Sequence, residues 1–91
     1  MARYLVYMLR CSDGSLYTGI TVDLERRILQ HNAGRASKYT RSRTPVRVAY
    51  VEVVGGRGEA LKREINIKKM SRSAKLLLCD SYPARSRLSV R

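Results

Sequence analysis

The sequence predicts a small α/β (α+β) domain: a three-stranded antiparallel sheet flanked by about three helices. Three observations predict it. Apolar runs of strand formers stand at Tyr4–Leu9, Leu16–Ile20 and Val46–Val54, and an Asp13-Gly14 turn signal lies between the first two. Stretches with apolar residues at helical spacing follow the second and third runs. The chain has 91 residues, the size of one domain. A chain this short buries about 60–65% of its unfolded surface, which leaves no room for a large cofactor cavity.

Tyr4–Leu9 reads as a buried strand with Leu5, Tyr7 and Leu9 on one face. Cys11-Ser-Asp-Gly-Ser15 is the turn, and in the second strand Tyr17 and Gly19 share a face. Gly19 inside a strand lets another group approach the backbone closely. A helix is expected from about Val22 to Asn32, with Thr21 as its cap and Gly34 as its stop. At ~100° per residue, Leu24 and Ile28 form its inward stripe, and Arg27 and His31 stack just beside that stripe. Arg35–Pro45 reads as a loop with four cations (Arg35, Lys38, Arg41, Arg43), no acid, and Tyr39 in its middle. Such a loop can straddle a phosphate backbone or stack a base; the plainer alternative is a solvated surface loop. Val46–Val54 is apolar enough to suggest burial on both faces. Gly55-Gly56-Arg57-Gly58 is a turn. A second helix is expected from about Glu59 to Met70, its inward arc holding Ala60, Leu61, Ile65, Ile67 and Glu64. Ser71 or Ser73 caps a short third helix ending near Cys79, with Ala74, Leu77 and Leu78 for packing. Residues 1–83 form the expected domain; Ala84–Arg91, with three arginines, is a basic tail expected to fray.

Nineteen Lys and Arg against seven Asp and Glu give a formal charge of +12. That excess points to a polyanion, nucleic acid above all. The two cysteines, Cys11 and Cys79, form no Cys-x-x-Cys or Cys/His cluster, which excludes a zinc site of the usual spacing. They read as free thiols of a cytoplasmic protein. The Leu5–Leu9 run between Arg3 and Arg10 is too short for a signal-peptide core or a membrane span.

Glu64 carries the most information. A carboxylate on an apolar helix face costs several kcal/mol unless it is compensated. Two compensations are open: a pair with an arginine or a tyrosine hydroxyl, or a bound divalent cation. Tyr7, Tyr17, Arg27 and His31 add phenols, a guanidinium and an imidazole near the core edge. Phosphodiester hydrolysis uses such parts: a base for water, a fixed cation for developing charge, and a metal on phosphate oxygens. Each part also has an ordinary role, as packing tyrosines, a surface arginine, or a histidine at a helix C-terminus.

Val6-Tyr7-Met8, Tyr17-Thr18-Gly19, Asp23-Leu24-Glu25-Arg26-Arg27 and His31 resemble the GIY-YIG nuclease superfamily. Length and spacing are most similar to its small stand-alone bacterial members, close to the Slx1 type. The resemblance covers Ala2 to about Tyr82. It implies that Tyr7 accepts a proton from the attacking water or positions it, and that Tyr17 shapes the site and bonds the phosphate or a hydrated metal. It implies further that Arg27 holds the scissile phosphate, that His31 relays a proton or bonds a tyrosine, and that Glu64 is the sole protein carboxylate on one Mg²⁺ or Mn²⁺. A phenol titrates at about 10 in water, so a basic Tyr7 needs a neighbouring cation or His31 to lower that value. Gly19, Arg35, Lys38, Tyr39, Arg41 and Arg43 are the expected substrate contacts. Thr18 replaces the usual isoleucine of the second motif, the glycine of the first motif is missing, and Asn66 is not assigned to the late asparagine of the family. The expectation is a metal-dependent endonuclease acting on single-stranded or branched DNA in repair, recombination or processing, with a protein partner for targeting. The alternative is a nucleic-acid binder, RNA-associated, that cuts poorly or not at all.

Overall fold

The computed structural model describes residues 3–82; the tail expected from Ala84 onward lies outside them. The order is β1 (Tyr4–Arg10), β2 (Leu16–Thr21), α1 (Leu24–Asn32), α2 (Lys38–Arg41), β3 (Arg47–Val54), α3 (Arg57–Lys68) and α4 (Arg72–Asp80). The sheet is antiparallel with order β2-β1-β3.

The most apolar strand, β1, takes the centre, and Val6, Tyr7, Met8 and Leu9 are buried on both of its faces. Its side chains split two cores. Val6 and Met8 pack with Ala49, Tyr50, Ala60, Ile67 and Cys79 under α3 and α4. Tyr7 and Leu9 pack with Cys11, Leu24 and Val46 on the α1 side. The two cysteines are therefore on opposite faces of the sheet, and no disulfide joins them. β3 is an edge strand in which only Ala49 and Tyr50 are fully buried, but it packs on both faces: Val48 and Val51 against the α1-side core, Ala49, Tyr50 and Val54 against the other. A register shift between Met8 and Leu9 bends the β1–β3 pairing there. Across β3 and α3, Arg63 donates to both oxygens of Glu52, and Tyr50 donates to the same carboxylate.

Four helices, not three, surround the sheet among the described residues. The additional one is α2, inside the segment expected to be a loop. Ser37 caps it, accepting from the backbone N–H of Tyr39 and Thr40. The cap of α1 is Asp23, accepting from Arg26 N–H, while Thr21 accepts from Asp23 N–H one step earlier. An aspartate at the cap meets both the unpaired N–H groups and the helix dipole. Gly34 follows α1 with φ 76°, the left-handed conformation expected of its stop. Ser71 rather than Ser73 caps α4. Ile65 and Leu77 are 51% and 71% exposed, so neither packs inward. The inner faces of α3 and α4 are narrower than the apolar count suggested, because a short sheet covers only one stripe of each helix.

Candidate active site

Register places the two tyrosines. Tyr7 on β1 faces Gly19 on β2, and Leu9 faces Tyr17 two residues along, so both phenols rise from the α1 side of the hairpin. Gly19 is the reason the Tyr7 ring can lie down across β2. A Cβ there would sit 2.5 Å from the Tyr7 hydroxyl oxygen and 2.7 Å from Cζ. The tyrosine ring centroids are 6.5 Å apart.

His31 comes from the last turn of α1 and points into this face, completely buried. Its ring meets Tyr17 edge-on at 5.1 Å and Tyr7 at 5.9 Å. Nε2 is hydrogen-bonded to the Tyr7 hydroxyl at 2.9 Å, and Nδ1 to the Thr40 hydroxyl at 2.8 Å. Thr40 is also fully buried, and its hydroxyl reaches the Ser37 carbonyl at 3.4 Å. Sequence reasoning missed Thr40. The signal was there in Ser37-x-x-Thr40, a cap pattern within the basic stretch, but only a helix aims that hydroxyl inward.

Arg27, one turn before His31, donates through Nη1 to Gln30 at 3.1 Å. Its Nε is buried with no hydrogen-bond partner. A buried guanidinium N–H left open is costly, and an anionic oxygen is the partner that suits it best. The guanidinium also bears on the Tyr7 oxygen.

Burial sets the protonation states. It pushes the Tyr7 phenol up to about 12, against the smaller downward pull of Arg27, while the Tyr17 and Glu64 charges add to the rise. A basic Tyr7 needs its value lowered by a neighbouring cation or His31, and in the free protein that condition is not met: desolvation outweighs the cation. Burial, helped by the Arg27 charge, brings His31 down to about 4. At neutral pH the pair is a neutral phenol and a neutral imidazole.

Glu64 lies on α3, whose Ala60 and Ile67 pack in the other core, and its charge still bears on the Tyr7 phenol. Its Oε2 is 3.3 Å from Lys68 Nζ. The Glu64 side chain is 17% exposed and that of Lys68 53%, so a largely buried carboxylate is met by a lysine head at the surface one turn on. No group of three or more His, Cys, Asp or Glu gathers among the described residues. One carboxylate that leaves the remaining positions to water and substrate oxygens nevertheless suits Mg²⁺.

The basic segment divides. Arg35, Lys38 and Arg41 are exposed. Arg43 is engaged: Nε donates to Asp13 at 2.9 Å, Nη1 donates to the Tyr39 carbonyl at 2.8 Å, and Cζ lies 4.0 Å over the Tyr39 ring. Tyr39, 39% exposed, is aligned within 25° of Tyr17 at 6.1 Å, so the aromatic face of the site continues outward to solvent.

A family model described as the GIY-YIG catalytic domain matches residues 3–76. A UPF0213 protein of Syntrophus aciditrophicus is 49% identical over 93% of this chain and 99% of its own length. Another, from Halobacterium salinarum, is 50% identical over 77% of this chain and 91% of its own. The solution structure of a UPF0213 protein from Bacillus halodurans is similar with TM-score 0.60 and 38% identity, covering 98% of this chain and 94% of that one. A solution structure from E. faecalis is similar with TM-score 0.62 and 37% identity, over 89% and 86%.

Proposed function

The chain belongs to the GIY-YIG family of nucleases, and from that premise we propose that it is a metal-dependent endonuclease hydrolysing phosphodiester bonds in DNA, with single-stranded or branched substrates preferred. The observation that carries this reading is the open, buried Nε of Arg27 beside a Tyr7 hydroxyl bonded to His31. A substrate phosphate oxygen is bonded by the Arg27 guanidinium. The reacting phosphorus then lies next to a phenol whose proton has somewhere to go.

The proton inventory is short. Tyr7 oxygen receives the proton of the attacking water as its own phenolic proton passes to His31 Nε2. The phenol ends neutral and the imidazole ends protonated. In the free protein that transfer is steeply uphill, with Tyr7 at about 12 and His31 at about 4. Bound phosphate supplies negative charge beside Arg27, offsets the smaller share of the His31 shift that comes from that cation rather than from burial, and so raises its basicity. Arg27 then meets the charge that grows on the phosphorane. Tyr17 walls the site and bonds the phosphate or the ion's water. Glu64 would hold a Mg²⁺ or Mn²⁺ ion, which supplies Lewis-acid charge at the phosphate oxygens.

Arg35, Lys38 and Arg41 are the free phosphate contacts, and Tyr39 offers an exposed ring for a base. A domain this small has little surface for reading base edges, so strand state and shape decide the substrate. No helix among the described residues is long and apolar enough to cross a membrane. A cytoplasmic place in DNA repair or processing, with a targeting partner, follows from the same reading.

The test is cleavage of plasmid and single-stranded DNA with Mg²⁺ or Mn²⁺ and then with chelator, beside Glu64→Ala and Arg27→Ala. Metal-dependent cutting lost in both variants is expected. Salt-sensitive binding with no cutting by the wild type selects the second reading, a binder that kept the fold. The Glu64–Lys68 contact is the one observation that favours it.

A further inference from the structure

We propose that Thr40 is a positioning residue whose hydroxyl holds His31 as the Nδ1–H tautomer, so that Nε2 is the atom able to take the Tyr7 proton. Its effect on turnover rests on the nuclease reading; the tautomer itself is a property of the free protein.

The assignment follows from counting hydrogens. Thr40 has one hydroxyl proton and two lone pairs. Its backbone N–H is tied to the Ser37 side chain in the first turn of α2, and its hydroxyl reaches the Ser37 carbonyl, which can only accept. With the hydroxyl proton on that carbonyl, the contact with His31 Nδ1 needs its hydrogen from the imidazole. A neutral imidazole has one N–H, so Nε2 is bare. Tyr7, the partner at Nε2, must therefore donate. The Tyr7 oxygen keeps lone pairs toward Arg27, which can only donate. Every hydrogen in the chain Tyr7–His31–Thr40–Ser37 then has an acceptor.

The opposite tautomer breaks this. An Nε2–H imidazole turns Tyr7 into an acceptor and forces the Thr40 proton away from Ser37 toward Nδ1. The phenol then has no outlet into His31, and water cannot pass a proton to Tyr7. The groups facing the imidazole are Tyr7 from β1, Tyr17 from β2, Arg27 from its own helix and Thr40 from α2. Among these four, Thr40 is the one bonded to Nδ1, so its hydroxyl decides whether that nitrogen finds an acceptor for a proton. This also assigns a purpose to α2: a loop at this place would leave the hydroxyl unaimed.

The test compares wild type with Thr40→Val, nearly the same shape without the hydroxyl, and Thr40→Ser, which keeps it. Long-range ¹H–¹⁵N spectra of the His31 ring, taken without substrate, are expected to show a protonated Nδ1 and a bare Nε2 in the wild type and in Thr40→Ser. Thr40→Val is expected to shift toward Nε2–H. Its kcat should fall about ten- to a hundredfold with KM nearly unchanged, and Thr40→Ser should recover most of that. A wild-type spectrum with Nε2 protonated overturns the proposal, and it does so even if Thr40→Val fails to fold. A valine variant that keeps Nδ1–H and full kcat overturns it too. If no form of the protein cuts DNA but the spectra behave as expected, the Thr40 assignment stands and the nuclease reading falls.

Discussion

At Gly19 one missing carbon makes room for the Tyr7 ring. A Cβ would overlap both the Tyr7 hydroxyl and its Cζ, and the Tyr7 ring is buried and has nowhere to swing. Gly19→Ala is expected to cost about 1–3 kcal/mol, as overpacked sites do, and to break the Tyr7–His31 hydrogen bond. Denaturant unfolding and the His31 ring spectrum check this. His31 makes a second prediction. Its folded value of about 4 lies below the ordinary 6.5, so the unfolded chain binds the proton first. The stability it contributes is complete above pH 6.5 and is lost as pH falls toward 4, by up to about 3 kcal/mol. His31→Gln should flatten that slope in a series of melts; an equal slope in both proteins would place the loss elsewhere. The Tyr7 phenol runs the other way: raised to about 12, it favours the fold below pH 10 and loses that share above. Legibility at this scale was uneven. Tyr7, Tyr17, Arg27 and His31 could be found from spacing, because β and α periods decide which residues share a face. Thr40 could not, since its role depends on where a hydroxyl from another element comes to rest.

Among the elements, α2 decides the most per residue. Four residues long, it presents Thr40 inward and leaves Lys38, Tyr39 and Arg41 facing out. Its stability rests on the Ser37 cap, and Ser37→Ala should cost about 0.5–2 kcal/mol. Amide exchange at Tyr39 and Thr40 should rise in that variant well before exchange in β1. The exposed cations predict a graded effect on DNA binding. Arg41→Gln should flatten the dependence of log K on log salt by up to about 0.9, the share of one phosphate contact. Arg43→Gln belongs to a different class: it releases Asp13 and uncovers Tyr39, so loss of local order is expected before any loss of slope. Sequence reasoning read this segment as a loop because its polar residues show no helical stripe. A short capped turn needs none, as its burial comes from one threonine.

Over the whole molecule, the proposed parts come from distant segments. The tyrosines rise from the hairpin, Arg27 and His31 from α1 and Glu64 from α3, where its charge still bears on the Tyr7 phenol. Freeing Glu64 from Lys68 leaves the hydrogen bonds of the Tyr7 cluster in place, since none of them runs through Lys68. Lys68→Ala, which leaves a largely buried carboxylate without its partner, is expected to cost about 1 kcal/mol of stability and to tighten Mg²⁺ binding measured by calorimetry. An unchanged Mg²⁺ affinity would mean that the lysine does not compete for the carboxylate. What the sequence by itself determined was the alternation of apolar runs, the helix that follows the hairpin, the formal charge of +12 and the face shared by two tyrosines. All of these are local, set by the backbone period and by composition. Only the tertiary structure decided that β1 is central, that burial makes Tyr7 less acidic rather than more, and that Thr40 bonds His31. These depend on desolvation and on contacts between distant segments, which no spacing along a chain encodes.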